Sequence, residues 1–260
     1  MSTLCQIRDL SVTYRDQPNP ALAHVTLDIE AGGRLAIIGE SGSGKSTLAR
    51  TLAGLLPPRT HLTGEIQWTG GTPPRPGRDL GFVFQDPSSS LNPVLTIGEQ
   101  VAEGARQHLD LGWKQALERA QDMLERVRIA QADRVLRAYP HQLSGGQRQR
   151  VAIAAALAAK PKILIADEAT SALDVVVQAE IVALLDDLVR DAQMTLIFIT
   201  HDIALASGFA DRVAIFKDGR LVEAGPTASL LAAPAQGYTR TLLQSHLDLT
   251  SPPLVEEAAT

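Results

Sequence analysis

The chain has 260 residues, of which 45% are hydrophobic and 20% charged, a composition typical of a folded globular protein and not of a disordered one. Its formal net charge of −5 offers no basic excess for a nucleic acid partner. The only cysteine, Cys5, excludes an internal disulfide and a cysteine-based zinc cluster. The apolar runs Val151–Ala159 and Met194–Ile199 are about half as long as a membrane-spanning helix, and the first residues lack a secretory signal pattern. We therefore expect a cytoplasmic protein.

Hydrophobic patterning predicts strands and helices that alternate along most of the chain. Val25–Ile29 alternates apolar and polar residues, whereas Arg34–Ile38 is the continuous apolar run of a buried parallel strand. A helix is predicted over Ser46–Leu56, where two prolines end it. The other predicted strands are Thr63–Thr69, Leu80–Phe84, Lys162–Ala166, Met194–Thr200, and the hairpin partners Arg212–Phe216 and Leu221–Ala224. The other predicted helices are Ile97–Arg106, Trp113–Ile129, Gly146–Ala159, Val177–Asp191 and Thr227–Leu249, before a loose tail over Thr250–Thr260.

A glycine-rich segment lies between a predicted buried strand and a predicted helix. Gly39–Ser46 fits the pattern Gly-x-x-x-x-Gly-Lys-Ser/Thr, in which backbone N–H groups and the positive end of the helix dipole face phosphate oxygens. Lys45 can then reach the β- and γ-phosphates, and the Ser46 hydroxyl can bind Mg²⁺. A Gly/Ser linker with a chance Lys-Ser is the alternative. The flanking strand and helix favour a phosphate-binding loop.

Polar side chains also follow three other predicted strands. Asp167 and Glu168 end one strand, Gln85 ends another, and His201 ends a third. Open α/β sheets bind ligands at the carboxyl ends of their strands. We therefore expect Asp167 to hold Mg²⁺, Glu168 to orient the attacking water and His201 to contact a γ-phosphate. Each residue alone is more often structural or simply exposed, but a phosphate loop in the same sheet favours the functional interpretation.

The segment Leu143–Gln147 reads Leu-Ser-Gly-Gly-Gln and opens a predicted helix. A serine and two glycines at a helix start would form a second anion-binding helix N-terminus. The alternative is that Ser144 is an ordinary N-cap residue. A chain that binds one nucleotide has no internal need for a second such site.

Together these segments resemble the ATP-binding subunit of ABC transporters over nearly the whole chain. Gly39–Ser46 looks like the Walker A motif, Leu143–Gln147 like the family signature, and Ile163–Asp167 like the Walker B motif. Gln85 looks like the Q-loop, and the segment Ser171–Asp174 looks like the D-loop.

The resemblance assigns a set of site residues. It implies Tyr14 as the aromatic residue that stacks on adenine, and His201 as the switch histidine. The implied nucleotide-binding residues are Tyr14, Gly39, Glu40, Ser41, Gly42, Ser43, Gly44, Lys45, Ser46 and Thr47. The implied catalytic residues are Glu168, His201 and Lys45, and the implied Mg²⁺ residues are Ser46, Gln85 and Asp167. The implied signature residues are Ser144, Gly145, Gly146 and Gln147, and the D-loop residues are Ser171 and Asp174.

The resemblance also implies an architecture. The expected fold is α/β: an ABC-type P-loop ATPase with a RecA-like parallel-sheet core, an antiparallel β subdomain and an inserted α-helical subdomain. Residues 1–260 would form a single ABC ATPase domain. Its catalytic core and β subdomain would span about 1–85 and 161–235, its helical signature subdomain about 86–160, and its C-terminal helix and tail about 236–260.

Members of the family work as head-to-tail dimers that sandwich each ATP between one subunit's phosphate loop and the other's signature. The resemblance therefore implies ATP as substrate, Mg²⁺ as cofactor, and a second ATPase subunit and two permease subunits as partners. It also implies an extracytoplasmic solute-binding protein as an indirect partner, with no nucleic acid. The expected location is the cytoplasmic face of the cell membrane.

Four segments are similar to one branch, the oligopeptide, dipeptide and nickel importers. They are Phe84–Pro93, Tyr139–Gly146, Asp174–Gln178 and Gly237–Leu243. Peptide-importing members often carry a longer C-terminal extension, so the length and the ending near Ser245–Asp248 are closer to a nickel-importing subunit. Peptide transport stays open, because the solute would not touch this chain.

Three other hypotheses stay in view. A soluble ABC-type ATPase acting on DNA or ribosomes predicts a coiled-coil insertion or tandem cassettes, together with basic patches, and the sequence has neither. A non-hydrolysing regulatory subunit predicts the loss of Glu168, Lys45 or His201, and all three are present. An exporter ATPase is disfavoured because exporter cassettes are usually fused to a membrane domain.

Overall fold

The computed structural model describes residues 2–15, 17–170 and 173–250. These ranges contain nine strands and ten α-helices. The strands are β1 (Thr3–Thr13), β2 (Leu22–Glu30), β3 (Arg34–Gly39), β4 (His61–Trp68), β5 (Leu80–Val83), β6 (Ile163–Asp167), β7 (Thr195–Thr200), β8 (Arg212–Lys217) and β9 (Arg220–Pro226). The helices are α1 (Lys45–Leu52), α2 (Pro87–Ser90), α3 (Ile97–His108), α4 (Trp113–Arg126), α5 (Ala132–Val135), α6 (Gly145–Leu157), α7 (Val175–Asp191), α8 (Ile203–Ser207), α9 (Thr227–Ala232) and α10 (Gly237–Thr250).

Six strands form the central sheet in the order β5-β6-β7-β3-β8-β9. All neighbours pair in parallel except β8 and β9, which form the predicted antiparallel hairpin. Because β3, β5, β6 and β7 are parallel, their carboxyl ends meet at one edge, where such sheets bind ligands. The predicted α/β fold is confirmed.

The sheet is covered on both faces, as the continuous apolar strands predict. Successive side chains of a strand point to opposite faces. Ile163 and Ile165 of β6 therefore join a core cluster with the first two strands, while Leu164 and Ala166 join a cluster with α3, α4, α6 and α7. This packing fixes the carboxyl end of β6 in place.

A second, three-stranded antiparallel sheet has the order β2-β1-β4. Hydrophobic patterning did not predict β1. Its buried residues are Cys5 and Ile7, then Leu10 and Val12, and the pairing register shifts between Ile7 and Leu10. A β-bulge adds one residue and interrupts the two-residue period. Burial raises the pKa of the Cys5 thiol to about 12, so Cys5 stays protonated within this core.

Only helices lie between β5 and β6 in the described chain. No helix of the described residues has the length and apolar character needed to cross a membrane. The predicted continuous helix over Thr227–Leu249 is wrong, because α9 ends at Ala232 and α10 begins at Gly237. Pro234 lies in the break, where its ring and missing N–H disfavour a helix interior. Thr250 is the last residue of α10, and the rest of the predicted tail, 251–260, lies outside the described residues.

Candidate nucleotide site

The phosphate loop runs from the end of β3 to the start of α1 and packs tightly on its neighbours. A Cβ on Gly39 would lie 2.2 Å from the carbonyl oxygen of Phe216. Gly44 has a φ of +97°, and a Cβ there would meet the carbonyl oxygen of Ala21 at 2.6 Å. Glycine is therefore required at both positions, and the loop is held in one wrapped conformation.

Lys45 is folded back into the loop. Its Nζ donates hydrogen bonds of 2.8 Å to the carbonyl oxygens of both Gly39 and Glu40, and lies 3.8 Å from Oε1 of Glu168. The side chain is 3% exposed. Burial lowers the pKa of Lys45, while the nearby Glu168 and Asp167 carboxylates oppose that shift. The ammonium group is therefore positioned at the cleft. The two carboxylates do not fully offset the effect of burial, so the pKa of Lys45 stays below its usual value.

Ser43, inside the same loop, has a buried hydroxyl oxygen for which the described residues provide no hydrogen-bond partner. A buried polar atom without a partner costs free energy. Ser43 belongs to the loop that lines the cleft, where an oxyanion such as phosphate would be a chemically suitable partner for the loop.

Ser46 and Asp167 come together across the sheet edge. The Ser46 hydroxyl donates a 2.8 Å hydrogen bond to Oδ1 of Asp167, which is 3% exposed. Burial raises the pKa of Asp167, and the hydrogen bond from Ser46 works against that rise. A hydroxyl and a desolvated carboxylate are oxygen donors of the kind that Mg²⁺ accepts, alongside substrate phosphates. The two residues therefore fit the predicted metal.

Glu168 follows directly after β6 with a φ of +45°. Its N–H donates to the carbonyl oxygen of Ile199 in β7 (3.0 Å), and this bond fixes the turn. The carboxylate accepts a 2.8 Å hydrogen bond from Nε2 of Gln85. The structure thus brings Gln85, Glu168 and Lys45 together from three segments, as predicted. Gln85 contacts the carboxylate here, and its assignment to the metal stays a prediction.

A cleft of about 280 Å³ collects these groups. It is lined by Tyr14, Gln17, Ala21, Ser41, Gly42, Ser43, Gly44, Lys45, Ser46, Thr47, Gln85 and Glu168. The Tyr14 and Thr47 hydroxyls lie 3.1 Å apart, which places the tyrosine ring beside the start of α1. This position suits an aromatic platform for a base next to a phosphate site.

Sequence reasoning missed Gln17 and Ala21 as lining residues. The Gln17 N–H donates a 3.1 Å hydrogen bond to the carbonyl oxygen of Tyr14, which holds Gln17 beside the predicted aromatic residue. In the sequence, Gln17 is indicated as a lining residue only by its position three residues after Tyr14.

The signature segment does not line this cleft. Ser144 is the N-cap of α6, where its hydroxyl accepts from the Gln147 N–H (3.3 Å) and its own N–H donates to the Gln147 side chain (2.9 Å). Ser144 and Gly145 are exposed. The N-cap interpretation is thus confirmed, and Gln147 completes the capping box. The capped tip of α6 is exposed, so the positive end of its helix dipole lies at the surface.

The D-loop side chain Asp174 and His201 also lie outside the cleft lining. Asp174 is the N-cap of α7 and accepts from the Val177 N–H at 3.0 Å. The first two helical positions of α6 lie beside this region, because a Cβ on Gly145 would lie 3.8 Å from Leu173 and a Cβ on Gly146 would lie 3.3 Å from Val177. His201 follows β7 at the predicted sheet edge and is exposed. Ser171 lies outside the described residues.

A largely parallel sheet, a phosphate loop directly after β3, and a carboxylate pair at the same edge define a P-loop ATPase. The family model described as ABC transporter matches residues 22–171. The chain belongs to the ABC transporter family.

Similar proteins agree with this assignment. The chain is 41% identical to the peptidoglycan transport ATP-binding protein YejF of Agrobacterium fabrum, covering 97% of this chain and 50% of that protein. It is 43% identical to a peptide import ATP-binding protein of Brucella abortus, covering 95% of this chain and 78% of that protein. The dimeric post-hydrolysis ATP-binding cassette MJ0796, bound to ADP and Pi, superposes with a TM-score of 0.75 at 32% identity, covering 86% of this chain and 99% of that one. The chain spans about half the length of some relatives, as with YejF.

Proposed function

We propose that this chain binds and hydrolyses ATP as the motor subunit of an importer, coupling ATP-driven closure of a dimer to solute uptake through a permease. The observation that carries the proposal is the separation of two glycine-containing helix starts, each of the kind that binds anions. One lies in the nucleotide cleft, and the other is exposed at the tip of α6. A second chain placed head to tail would bring its α6 tip onto the first chain's cleft.

In this arrangement the chain's own residues divide the work of phosphoryl transfer. The loop amides and Lys45 bind the phosphates, and Tyr14 stacks on the base. Ser46 and Asp167 would hold Mg²⁺, which when bound would neutralise phosphate charge. Glu168 accepts a hydrogen bond from the attacking water, orients it and takes up its proton as a general base, while Gln85 fixes the carboxylate. Ser144 and the glycines after it donate to the γ-phosphate of the partner chain's nucleotide.

An apolar groove beside Gln85 supports coupling to a permease. It has a volume of about 340 Å³, and Leu55, Phe82, Phe84 and Leu91 contribute to its lining. Phe84 is 40% exposed and Leu55 38% exposed, unusual for side chains of this size. Phe84 adjoins Gln85, which contacts the candidate catalytic carboxylate. A cytoplasmic helix of a permease docked here would lie one residue from the nucleotide site, placing the chain at the cytoplasmic face of the membrane.

The names of similar proteins indicate the class of solute, whereas no residue of this chain does. The similar proteins carry names that refer to peptide, glutathione and peptidoglycan import or transport. We therefore propose a peptide-type solute ahead of nickel. Reconstitution with the permease subunits in proteoliposomes should give ATP-dependent peptide uptake. Nickel uptake without peptide uptake would reverse the solute assignment, and uptake of neither, with intact hydrolysis, would favour a soluble or exporter-type ATPase.

A mixed-dimer experiment tests the shared site. One chain carries Lys45→Ala and the other Ser144→Arg, both in a Glu168→Gln background, and the mixed dimer is isolated by two different tags. If the signature acts on the partner's nucleotide, both lesions fall in one site and the mixed dimer retains one labelled ATP. Dimers of either single variant retain none. If the signature served its own chain, the mixed dimer would retain none either, and the head-to-tail proposal would be wrong.

A further inference from the structure

The C-terminal helix reaches the phosphate loop through one side chain. The Tyr238 hydroxyl, in the first turn of α10, donates a 3.1 Å hydrogen bond to Oε1 of Glu40 in the loop. Nζ of Lys217, at the end of β8, lies 4.6 Å from the centroid of the Tyr238 ring, a cation–π contact. Three segments that are distant in sequence therefore meet beside the nucleotide cleft.

The start of α10 is held firmly enough to position Tyr238. The Glu223 carboxylate of β9 accepts from the Ala235 and Gln236 N–H groups (2.9 and 3.1 Å) and from the Thr239 hydroxyl (2.6 Å). Thr239 is fully buried. Burial acts to raise the pKa of Glu223, but these hydrogen bonds outweigh it and hold that pKa below its usual value. An ionised carboxylate at the positive end of α10 anchors the helix on the sheet.

Glu40 connects this anchor to the phosphate-binding lysine. The Glu40 carbonyl oxygen accepts one of the two hydrogen bonds that hold Lys45, while the Glu40 side chain is exposed beside the loop. A carboxylate next to a phosphate site repels the phosphates unless it is held away from them. The hydrogen bond from Tyr238 keeps the Glu40 carboxylate on the α10 side of the loop.

We propose that Tyr238 is a positioning residue of the nucleotide site, which holds the Glu40 carboxylate away from the bound phosphates and so makes nucleotide affinity depend on the docking of α10. The proposal rests on the proposed function only in that the cleft must bind nucleotide. It gives a role to the segment Gly237–Leu243, which the sequence singles out and which the catalytic scheme does not use.

A double-mutant cycle on the full chain tests it. Tyr238→Phe keeps the ring and removes the hydroxyl, so the dissociation constant for Mg-ATP should rise about three- to tenfold, the range expected for one hydrogen bond, with kcat changed less than about twofold. Glu40→Gln removes the repelling charge. In that background Tyr238→Phe should have little further effect. The control Lys217→Met keeps the hydroxyl and should change the affinity less than Tyr238→Phe does.

The outcomes separate the two proposals. A wild-type chain that binds no ATP overturns the proposed function. If the wild-type chain binds ATP and Tyr238→Phe leaves the dissociation constant unchanged, the proposed role of Tyr238 is wrong. An equal effect of Tyr238→Phe in both Glu40 backgrounds also overturns it, since a merely structural tyrosine would act independently of that charge.

A second measurement does not need the Tyr238→Phe variant to fold. Burial, followed by the hydrogen bond to Glu40, raises the pKa of Tyr238 to about 12. In Glu40→Gln, absorbance titration of the tyrosines should show one group moving back toward its ordinary value. An unchanged titration would contradict the contact on which the proposal rests.

Discussion

The starts of α1 and α6 are both glycine-containing helix N-termini, yet they differ in how their backbone amides are satisfied. In the described residues α1 has Gly44 as its N-cap, without a side-chain hydrogen bond to the first amides. By contrast, α6 is capped by its own Ser144 and Gln147 side chains. The first N–H groups of any helix lack partners within the helix. The α1 terminus is therefore built to receive a ligand from the cleft, whereas the α6 terminus is stable alone and is presented at the surface.

The largest expected effect lies on the α1 side. Glu168→Gln should lower kcat for ATP hydrolysis by about 10²–10⁴-fold, because an amide cannot take up a proton from the attacking water. ATP binding should persist, because the loop and Lys45 are unchanged. Glu65→Gln, on exposed β4, is a matched control that should keep the wild-type rate. Hydrolysis by purified Glu168→Gln at the wild-type rate would remove Glu168 from the mechanism.

The second effect separates the two functions that Ser144 can have. Asp and Asn are N-cap residues as good as Ser, so Ser144→Asp and Ser144→Asn should both keep the thermal stability of the chain. Only Ser144→Asp places a negative charge against the partner's nucleotide, where like charges cost several kcal/mol. ATP-dependent dimerisation, measured by light scattering in the Glu168→Gln background, should therefore be lost in Ser144→Asp and retained in Ser144→Asn. Equal dimerisation of the two would leave Ser144 with a capping role alone.

A smaller effect is expected at the edge of the α1 site. Tyr14→Ala should raise the ATP dissociation constant about tenfold, within the range measured for a base stacked on an aromatic ring. Tyr14→Phe keeps the ring and loses only the hydroxyl beside Thr47, so it should stay close to wild type. Calorimetric titration with ATP and with tripolyphosphate checks the assignment. Equal losses for both ligands would mean that Tyr14 supports the loop and does not bind the base.

The sequence predicted the α1 site better than its surroundings because the relevant signals are local. Gly39–Ser46 carries its own conformational requirements, and Asp167 and Glu168 end a strand whose burial is plain from its composition. The parallel sheet then brings these segments together without further information. Elements that depend on a local backbone irregularity were harder to predict. The bulge after Ile7 hides the period of β1, and the break at Pro234 divides a segment that has helical composition throughout.

Long-range side-chain contacts were the least predictable part of the site. The hydrogen bond between Tyr238 and Glu40 joins residues separated by 198 positions. Neither residue type nor spacing indicates it, because it depends on how α10 is anchored by Glu223. The outward orientation of Ser144 is a similar case. The motif predicted an anion site, but only the packing of α6 shows that this site does not face the chain's own cleft.

The smallest expected effect concerns the stability of the fold, which the buried carboxylate of Asp167 at the α1 site lowers when it is ionised. Because burial raises the pKa of Asp167, ionising this group destabilises the free protein at neutral pH. The native state binds the proton more tightly than the unfolded state, so this contribution to stability decreases as pH rises from the unfolded pKa through the folded pKa, and stays lost above it. Without nucleotide and Mg²⁺, Asp167→Asn should therefore raise the melting temperature at pH 7, and its advantage should shrink as the pH falls toward 4. Asp133→Asn, which removes an exposed carboxylate of α5, is the control variant for this comparison. A lower melting temperature for Asp167→Asn at pH 7 would mean that its hydrogen bond with Ser46 outweighs the burial of charge, and that the α1 site is not held at the expense of stability.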